Sequence, residues 1–148
     1  EITSNYLVTD NLYIYANLGF LKTKIKNWES RIDLEGRSQA HAPDHSYSIG
    51  GNLNLKNNLY LKLDINGKSS FYYSDSHDNQ SKSYQLTNII FGYSNTNFSA
   101  DLWIRNIFDK YYSTRGFYFG NEAPNFEDTL YRRQGDPRYF GISLRYNF

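Results

Sequence analysis

The segment GDPRYFGISLRYNF, residues 135 to 148, alternates strictly along its second half. Read back from Phe148, every second residue is apolar: Tyr146, Leu144, Ile142 and Phe140. Between them stand Asn147, Arg145, Ser143, Gly141 and Tyr139. A period of two marks a β-strand with one apolar face and one mostly polar face. The segment before it, FSADLWIRNIFDKYY at 98 to 112, opens the same way. Phe98, Ala100, Leu102 and Ile104 share one face, and Ser99, Asp101, Trp103 and Arg105 share the other.

Working outward, the same period predicts seven strands: 1–8, 12–25, 44–56, 59–73, 83–94, 98–112 and 137–148. The cleanest is 59–73, with Leu59, Leu61, Leu63 and Ile65 against Tyr60, Lys62, Asp64 and Asn66. Short polar turns at 9–11, 57–58 and 95–97 alternate with long loops at 26–43, 74–82 and 113–136. Short connections at one rim and long ones at the other are what bacterial outer-membrane barrels show. Several predicted strands are far longer than the roughly 5 to 6 residues of a globular strand. They suit the roughly 9 to 11 residues that a tilted membrane strand needs. No helical segment is expected.

Composition points the same way. Fifteen Tyr and ten Phe among 148 residues favour strands. The low mean hydropathy does not argue against a membrane, because lipid-facing and lumen-facing residues alternate and average out. The aromatics sort by height. Phe71, Tyr72, Tyr73, Tyr84, Tyr111, Tyr112, Tyr139 and Phe140 fall near the long-loop rim; Tyr6, Tyr93, Phe98, Tyr146 and Phe148 fall near the short-turn rim. Two aromatic girdles around an aliphatic band are expected of a membrane barrel. A net charge of +1 speaks against nucleic acid as a partner, and the lack of cysteine excludes disulfides and thiolate metal sites. The chain begins at Glu1 inside a predicted strand with no export signal, which is expected of a piece of a longer, exported protein.

Two blocks carry a family resemblance. RNIFDKYYSTRGF at 105–117, followed by GDPRYFGISLRYNF, resembles the C-terminal signature of TonB-dependent outer-membrane receptors. Ala42, Pro43, Asp44 and His45 resemble the family's lead-in to an upper-barrel strand. The resemblance implies an all-β, antiparallel, up-and-down transmembrane barrel segment of about seven strands, cut from a barrel of roughly 22. Residues 1–148 would be its C-terminal portion, without the plug domain. It implies uptake of a scarce ligand (siderophore-iron, haem, cobalamin or a glycan) and no enzymatic activity. The implied partners are outer-membrane lipid, the TonB complex acting through the missing plug, and the barrel-assembly machinery. The last would recognise the terminal strand through Tyr146 and Phe148.

No catalytic motif stands out, and no resident cofactor is expected. His41 and His45 flank Pro43 and lack identifiable companions for a metal, so both are expected to be plain rim residues. Asp101, Arg105 and Arg145 share the polar parity, where plain wall solvation or contact with a plug suits them better than a lumen charge network. Loop 113–136 is the candidate ligand-binding segment, through Arg115, Phe117, Tyr118, Phe119, Tyr131, Arg132 and Arg133, and a lipopolysaccharide-facing or barrel-mouth loop with no ligand role is the alternative reading. Arginines and aromatic rings at a barrel mouth suit an anionic or aromatic small molecule; lipid phosphates are the competing ligand for Arg132 and Arg133. Two rival readings remain at this point: a small complete barrel binding an apolar ligand, as lipocalins do, and a small outer-membrane barrel enzyme or adhesin. The odd strand number disfavours a complete membrane barrel, although 113–136 has room for an eighth strand. An open sheet with two bare edges is expected to self-associate without lipid or detergent.

Overall fold

The computed structural model describes residues 1–148. All seven predicted strands form: β1 Ile2–Thr9, β2 Leu12–Phe20, β3 His45–Asn54, β4 Leu59–Lys68, β5 Tyr84–Ser94, β6 Phe98–Arg105 and, closing the chain, β9 Tyr139–Tyr146. They make one sheet in the order β1-β2-β3-β4-β5-β6-β9, and every neighbouring pair is antiparallel. The sheet is open, so β1 and β9 each keep a free edge.

Register sorts the side chains. Ile14, Gly51, Leu63, Ile89 and Ile104 stand opposite one another in one row across five strands. The next row, on the other face, is Tyr15, Gly50, Asp64 and Asn88. Extending this parity puts every charged residue of the seven strands on one face: Lys62, Asp64, Lys68, Asp101, Arg105 and Arg145. The opposite face carries no Asp, Glu, Lys or Arg. Its aliphatic and aromatic side chains stand uncovered: Ile142 is 70% exposed, Leu144 69% and Phe140 76%. Only 10 of 148 residues are buried, far fewer than a water-soluble domain of this length needs. The apolar face therefore has no counterpart within these residues.

The tight turns follow their sequences. Asn57 and Asn58 have φ of 60° and 63°, the left-handed pair that a two-residue hairpin turn demands, and asparagine tolerates it well. At the opposite end of the sheet the predicted boundaries run too far. β2 stops at Phe20 rather than residue 25, β4 at Lys68 rather than 73, and β6 at Arg105 rather than 112. Beyond these points the backbone leaves the sheet for the rim. A single 3-10 turn, Ile32–Leu34, lies in the first long connection.

The largest correction concerns 113–136. It is not a loop throughout. Ser113–Phe119 (β7) and Thr129–Gln134 (β8) pair as a separate two-stranded antiparallel sheet. The hairpin rises between β6 and β9, which pair directly beneath it.

The only compact core lies at this rim. Leu34, Phe71 and Tyr73 are buried there, and Phe71 meets Tyr73 edge-on at 5.7 Å. Phe71 and Tyr73 are thus not girdle residues, as their position in the sequence suggested. Tyr139 is not one either: it shares the polar parity and packs edge-on against Trp103. Phe140 at one end and Tyr6, Tyr93, Phe98 and Tyr146 at the other do lie on the apolar face.

Candidate functional site

The base of the hairpin is tied by Asn106, the asparagine of the RNIFDKYY block. It is buried and left-handed, with φ of 50°. Its amide Nδ2 donates to the carbonyls of Lys110 (3.0 Å) and Asp136 (3.1 Å), and its Oδ1 accepts from the Lys110 N–H (2.8 Å). Three residues on, Asp109 Oδ1 accepts from the Arg138 N–H at 2.7 Å. The exit of β6 is so joined to the approach of β9, and the hairpin is held above the joint. The block is spaced as it is because one amide must satisfy backbone groups from both segments at once.

The hairpin leans on 69–83. Gly116 packs against the ring of Tyr73, where a Cβ would collide. Tyr118 stacks on His77 with 3.6 Å between centroids and 7° between planes, and Asn79 Nδ2 donates to its hydroxyl. Arg37 closes the third side. Its guanidinium lies 4.0 Å over the ring of Tyr72, pairs with Asp78 at 2.7 Å and donates to the carbonyl of His77.

Hairpin register divides the seven residues expected to bind ligand. Arg115 faces Arg133, Phe117 faces Tyr131, and Phe119 faces Thr129. Arg115, Phe117, Phe119, Tyr131 and Arg133 therefore share one outward face. Tyr118 and Arg132 belong to the other face, toward the rim core. A bulge at Thr114 sets this parity by shifting the register between Ser113 and Arg115. On the outward face the Arg115 guanidinium sits 5.5 Å from the Phe117 ring, and Tyr131 donates to Glu122 at 3.0 Å. That hydrogen bond holds the Tyr131 phenol above its usual range.

Of the seven, Arg132 alone reaches a well-formed cavity, about 400 Å³ in volume. The cavity lies between 80–84, 110–113 and β8. Its cations are Lys82, Lys110 and Arg132, and its rings are Tyr73, Tyr84, Tyr111 and Tyr112. None of the three cations is in an ion pair, and no carboxylate lines the walls. Tyr84 and Tyr112 meet at 4.5 Å, and burial together with Asp136 pushes the Tyr112 phenol up. Neutral phenols and free cations around one space suit an anion with flat, polar surfaces. Reading the sequence missed Lys82, Tyr84, Lys110 and Tyr112, because they come from three segments far apart in the chain. The KYY run at 110–112 is the one local hint, and its sequence predicts the end of a strand.

The sheet is a stretch of β-barrel wall. Several solved receptors carry the same stretch of wall. It matches the siderophore receptor PiuA from Acinetobacter baumannii with a TM-score of 0.78 and 17% identity, over 96% of this chain and 20% of that one. It matches the ferric yersiniabactin uptake receptor FyuA from Yersinia pestis with a TM-score of 0.79 and 16% identity, over 97% and 22%. The ferric-catecholate import receptor Fiu from E. coli K12 gives 0.73 and 18%, over 95% and 19%. The chain thus spans about a fifth of the length of the solved receptors it matches. No protein-family model matches the chain.

Proposed function

We propose that residues 1–148 are the C-terminal portion of the barrel of a TonB-dependent receptor in a bacterial outer membrane, and that the receptor imports an iron–siderophore complex. The observation that carries this reading is the match of 96–97% of the chain to receptor barrels at TM-scores of 0.78 and 0.79. The uncovered, charge-free face supports lipid contact, and the opposite face then lines the lumen. The cavity of Lys82, Lys110 and Arg132 supports an anionic ligand, and the ferric-complex receptors that the fold matches favour an iron–siderophore complex over haem, cobalamin or a glycan. The chain is wall and mouth and catalyses nothing. Energy reaches the receptor from TonB through a plug outside these residues. The barrel-assembly machinery engages β9, with Tyr146 and Phe148 at its end.

The test is made in the source cells. An antibody against 113–136 should mark an outer-membrane band several times heavier than 17.4 kDa. Deleting the gene should abolish uptake of at least one labelled ferric siderophore under iron limitation. A band near 17.4 kDa in the soluble fraction would sink the proposal and put the small ligand-binding barrel in its place.

A further inference from the structure

The charge-free face of the sheet ends differently at its two rims. At the short turns, 9–11, 55–58 and 95–97, the only charges are Asp10 and Lys56, which cancel. At the other rim β2 leaves the sheet at Phe20, and the run that follows is LKTKIK, residues 21 to 26. It carries lysines at steps of two and no acid.

Those steps continue the parity of the strand. Ile14, Ala16, Leu18 and Phe20 occupy the charge-free face, and Lys22, Lys24 and Lys26 are the next positions of that series. Past Phe20 the backbone stays paired with the returning chain. Leu21 N–H donates to the Asp44 carbonyl (2.9 Å), Ile25 N–H to the Arg37 carbonyl (2.9 Å), and Gly36 N–H to the Ile25 carbonyl (2.8 Å). Exposure alternates accordingly: Thr23 and Ile25 are half-buried, and all three lysines are exposed. None of the three is in an ion pair; Asp44 shares a small hollow with Lys22 but does not pair with it. Below them the Phe20 ring is 66% exposed at the top of the apolar face. At a rise of roughly 3.3 Å per residue, Lys22 lies about 7 Å past Phe20, close to the thickness of a headgroup layer.

A second feature lies at the same height. His45 stands opposite Phe20, and with Tyr47 and Gln85 it lines a hollow of about 470 Å³. Tyr47 donates to Gln85 at 2.8 Å, so phenol, amide and imidazole groups stand where the rest of the face offers hydrocarbon. An acyl chain has nothing to give these groups. A sugar ring has hydroxyls for them, and a phosphate on that sugar has charge for the lysines.

We infer that Lys22, Lys24 and Lys26, with the hollow at His45, seat the phosphorylated sugar headgroup of a glycolipid in the outer leaflet. This rests on the proposed function, since only in an outer membrane does the charge-free face end at such a leaflet. It adds a headgroup site to a face otherwise suited to any acyl chain. Phosphates crowded in one leaflet repel unless cations bridge them, and fixed ammonium groups hold them without a metal ion. Each lysine near an anionic lipid surface strengthens attachment roughly five-fold.

The test uses the full-length protein extracted from outer membranes into detergent and washed with EDTA to strip metal-bridged lipid. Glycolipid that stays bound is counted by mass spectrometry. The expected result is phosphorylated glycolipid on the parent, reduced at least roughly ten-fold in the Lys22→Gln, Lys24→Gln, Lys26→Gln triple variant and unchanged in Lys56→Gln at the opposite rim. A second measurement needs no variant. In phosphatidylcholine vesicles the three lysines should be shielded from an acetylating reagent when bis-phosphorylated lipid A is added. They should stay reactive when the same lipid is dephosphorylated or when inorganic phosphate replaces it. Equal retention by the triple variant, an equal loss in Lys56→Gln, or shielding by the dephosphorylated lipid or by inorganic phosphate overturns the inference and leaves the receptor reading standing. A soluble protein of 17.4 kDa overturns both.

Discussion

Tyr60 donates its hydroxyl to the carboxylate of Asp101 across the bare backbone of Gly92. The three residues belong to successive strands and stand directly opposite one another: Tyr60 faces Gly92, and Gly92 faces Asp101. The arrangement recurs. Tyr15 crosses Gly50 to Asp64, and Tyr47 crosses Gly67 to Gln85 at 2.8 Å. In each row a Cβ on the glycine would strike the tyrosine ring. Each tyrosine therefore spans two strand spacings, covers the glycine's exposed backbone and fixes the register of three strands.

The coupling is measurable. Tyr60→Phe removes a hydrogen bond to a charged acceptor and should cost about 1.5–3 kcal/mol. Gly92→Ala drives a methyl into the ring and against the Asp101 carboxylate, and should cost at least as much. In a Tyr60→Ala background only the flexible Asp101 side chain stands in the way, so the same Gly92→Ala change should cost far less, a coupling of roughly 1–3 kcal/mol for residues in contact. Denaturant unfolding of the purified full-length protein in detergent reads all four variants. Additive costs would mean that the ring does not lie over the glycine.

The rim should loosen in acid. His41 packs 5.6 Å from Phe71, and burial, aided by the positive charge of Arg115, holds its imidazole below the ordinary histidine range. A histidine with a depressed folded pKa takes up its proton more readily when the rim is open. Its stabilisation is thus complete above the open-state value of about 6.5 and is lost as pH falls through and below it. Hydrogen exchange of 69–83 in the parent, compared at each pH with His41→Asn, should show the parent losing protection more steeply below about pH 6.5. Asparagine is the right replacement because His41 has φ of 57°, which asparagine accepts. Parallel profiles would remove His41 from the account.

The strands were legible because period-two alternation survives any tertiary context that keeps one face apolar. Leu59 to Asn66 states its faces residue by residue, and the observed sheet keeps them. The rim was not legible for the same reason. At Phe71, Tyr72 and Tyr73 three aromatic residues follow in a row, and Phe71 and Tyr73 turn inward to a local core that no periodicity describes. The hairpin at 113–134 escaped notice because the bulge at Thr114 breaks its pattern and Gly116 is apolar only by what packs on it. Arg132 and Arg133 look equivalent in the sequence. The register separates them.

That separation predicts unequal roles. Arg132 lines the cavity with Lys82 and Lys110, whereas Arg133 faces outward beside Arg115. If an anionic ferric chelate occupies the cavity, Arg132→Ala should weaken its binding about ten-fold, the loss of one charge-assisted contact worth about 1.5 kcal/mol. Lys110→Gln should act similarly, and raised salt should reduce the difference. Arg133→Ala should change affinity less than two-fold or so, in keeping with an exposed charge. Equilibrium binding to the full receptor decides it. Equal losses at 132 and 133 would move the site to the outward face of the hairpin.

Neighbouring positions on one strand should answer oppositely to the same charge. Ile14 stands on the charge-free face of β2 and is 42% exposed, while Asn17, three residues on, stands on the polar face. In water an arginine at either exposed position would be tolerated. In a bilayer Ile14→Arg places a guanidinium among acyl chains at a cost that falls from about 2–4 kcal/mol at the midplane to about 0–1 at the interface, and Ile14, two residues into β2 from the short turn, should sit toward the lower figure, whereas Asn17→Arg points into the lumen and should cost close to nothing. Refolding into lipid vesicles, followed by the heat-modifiable shift on gels, gives the folded fraction of each. A lower folded fraction for Ile14→Arg alone fixes which face meets lipid. Equal tolerance of both would mean that the uncovered face meets water, and a loss confined to Asn17→Arg would turn the sheet inside out.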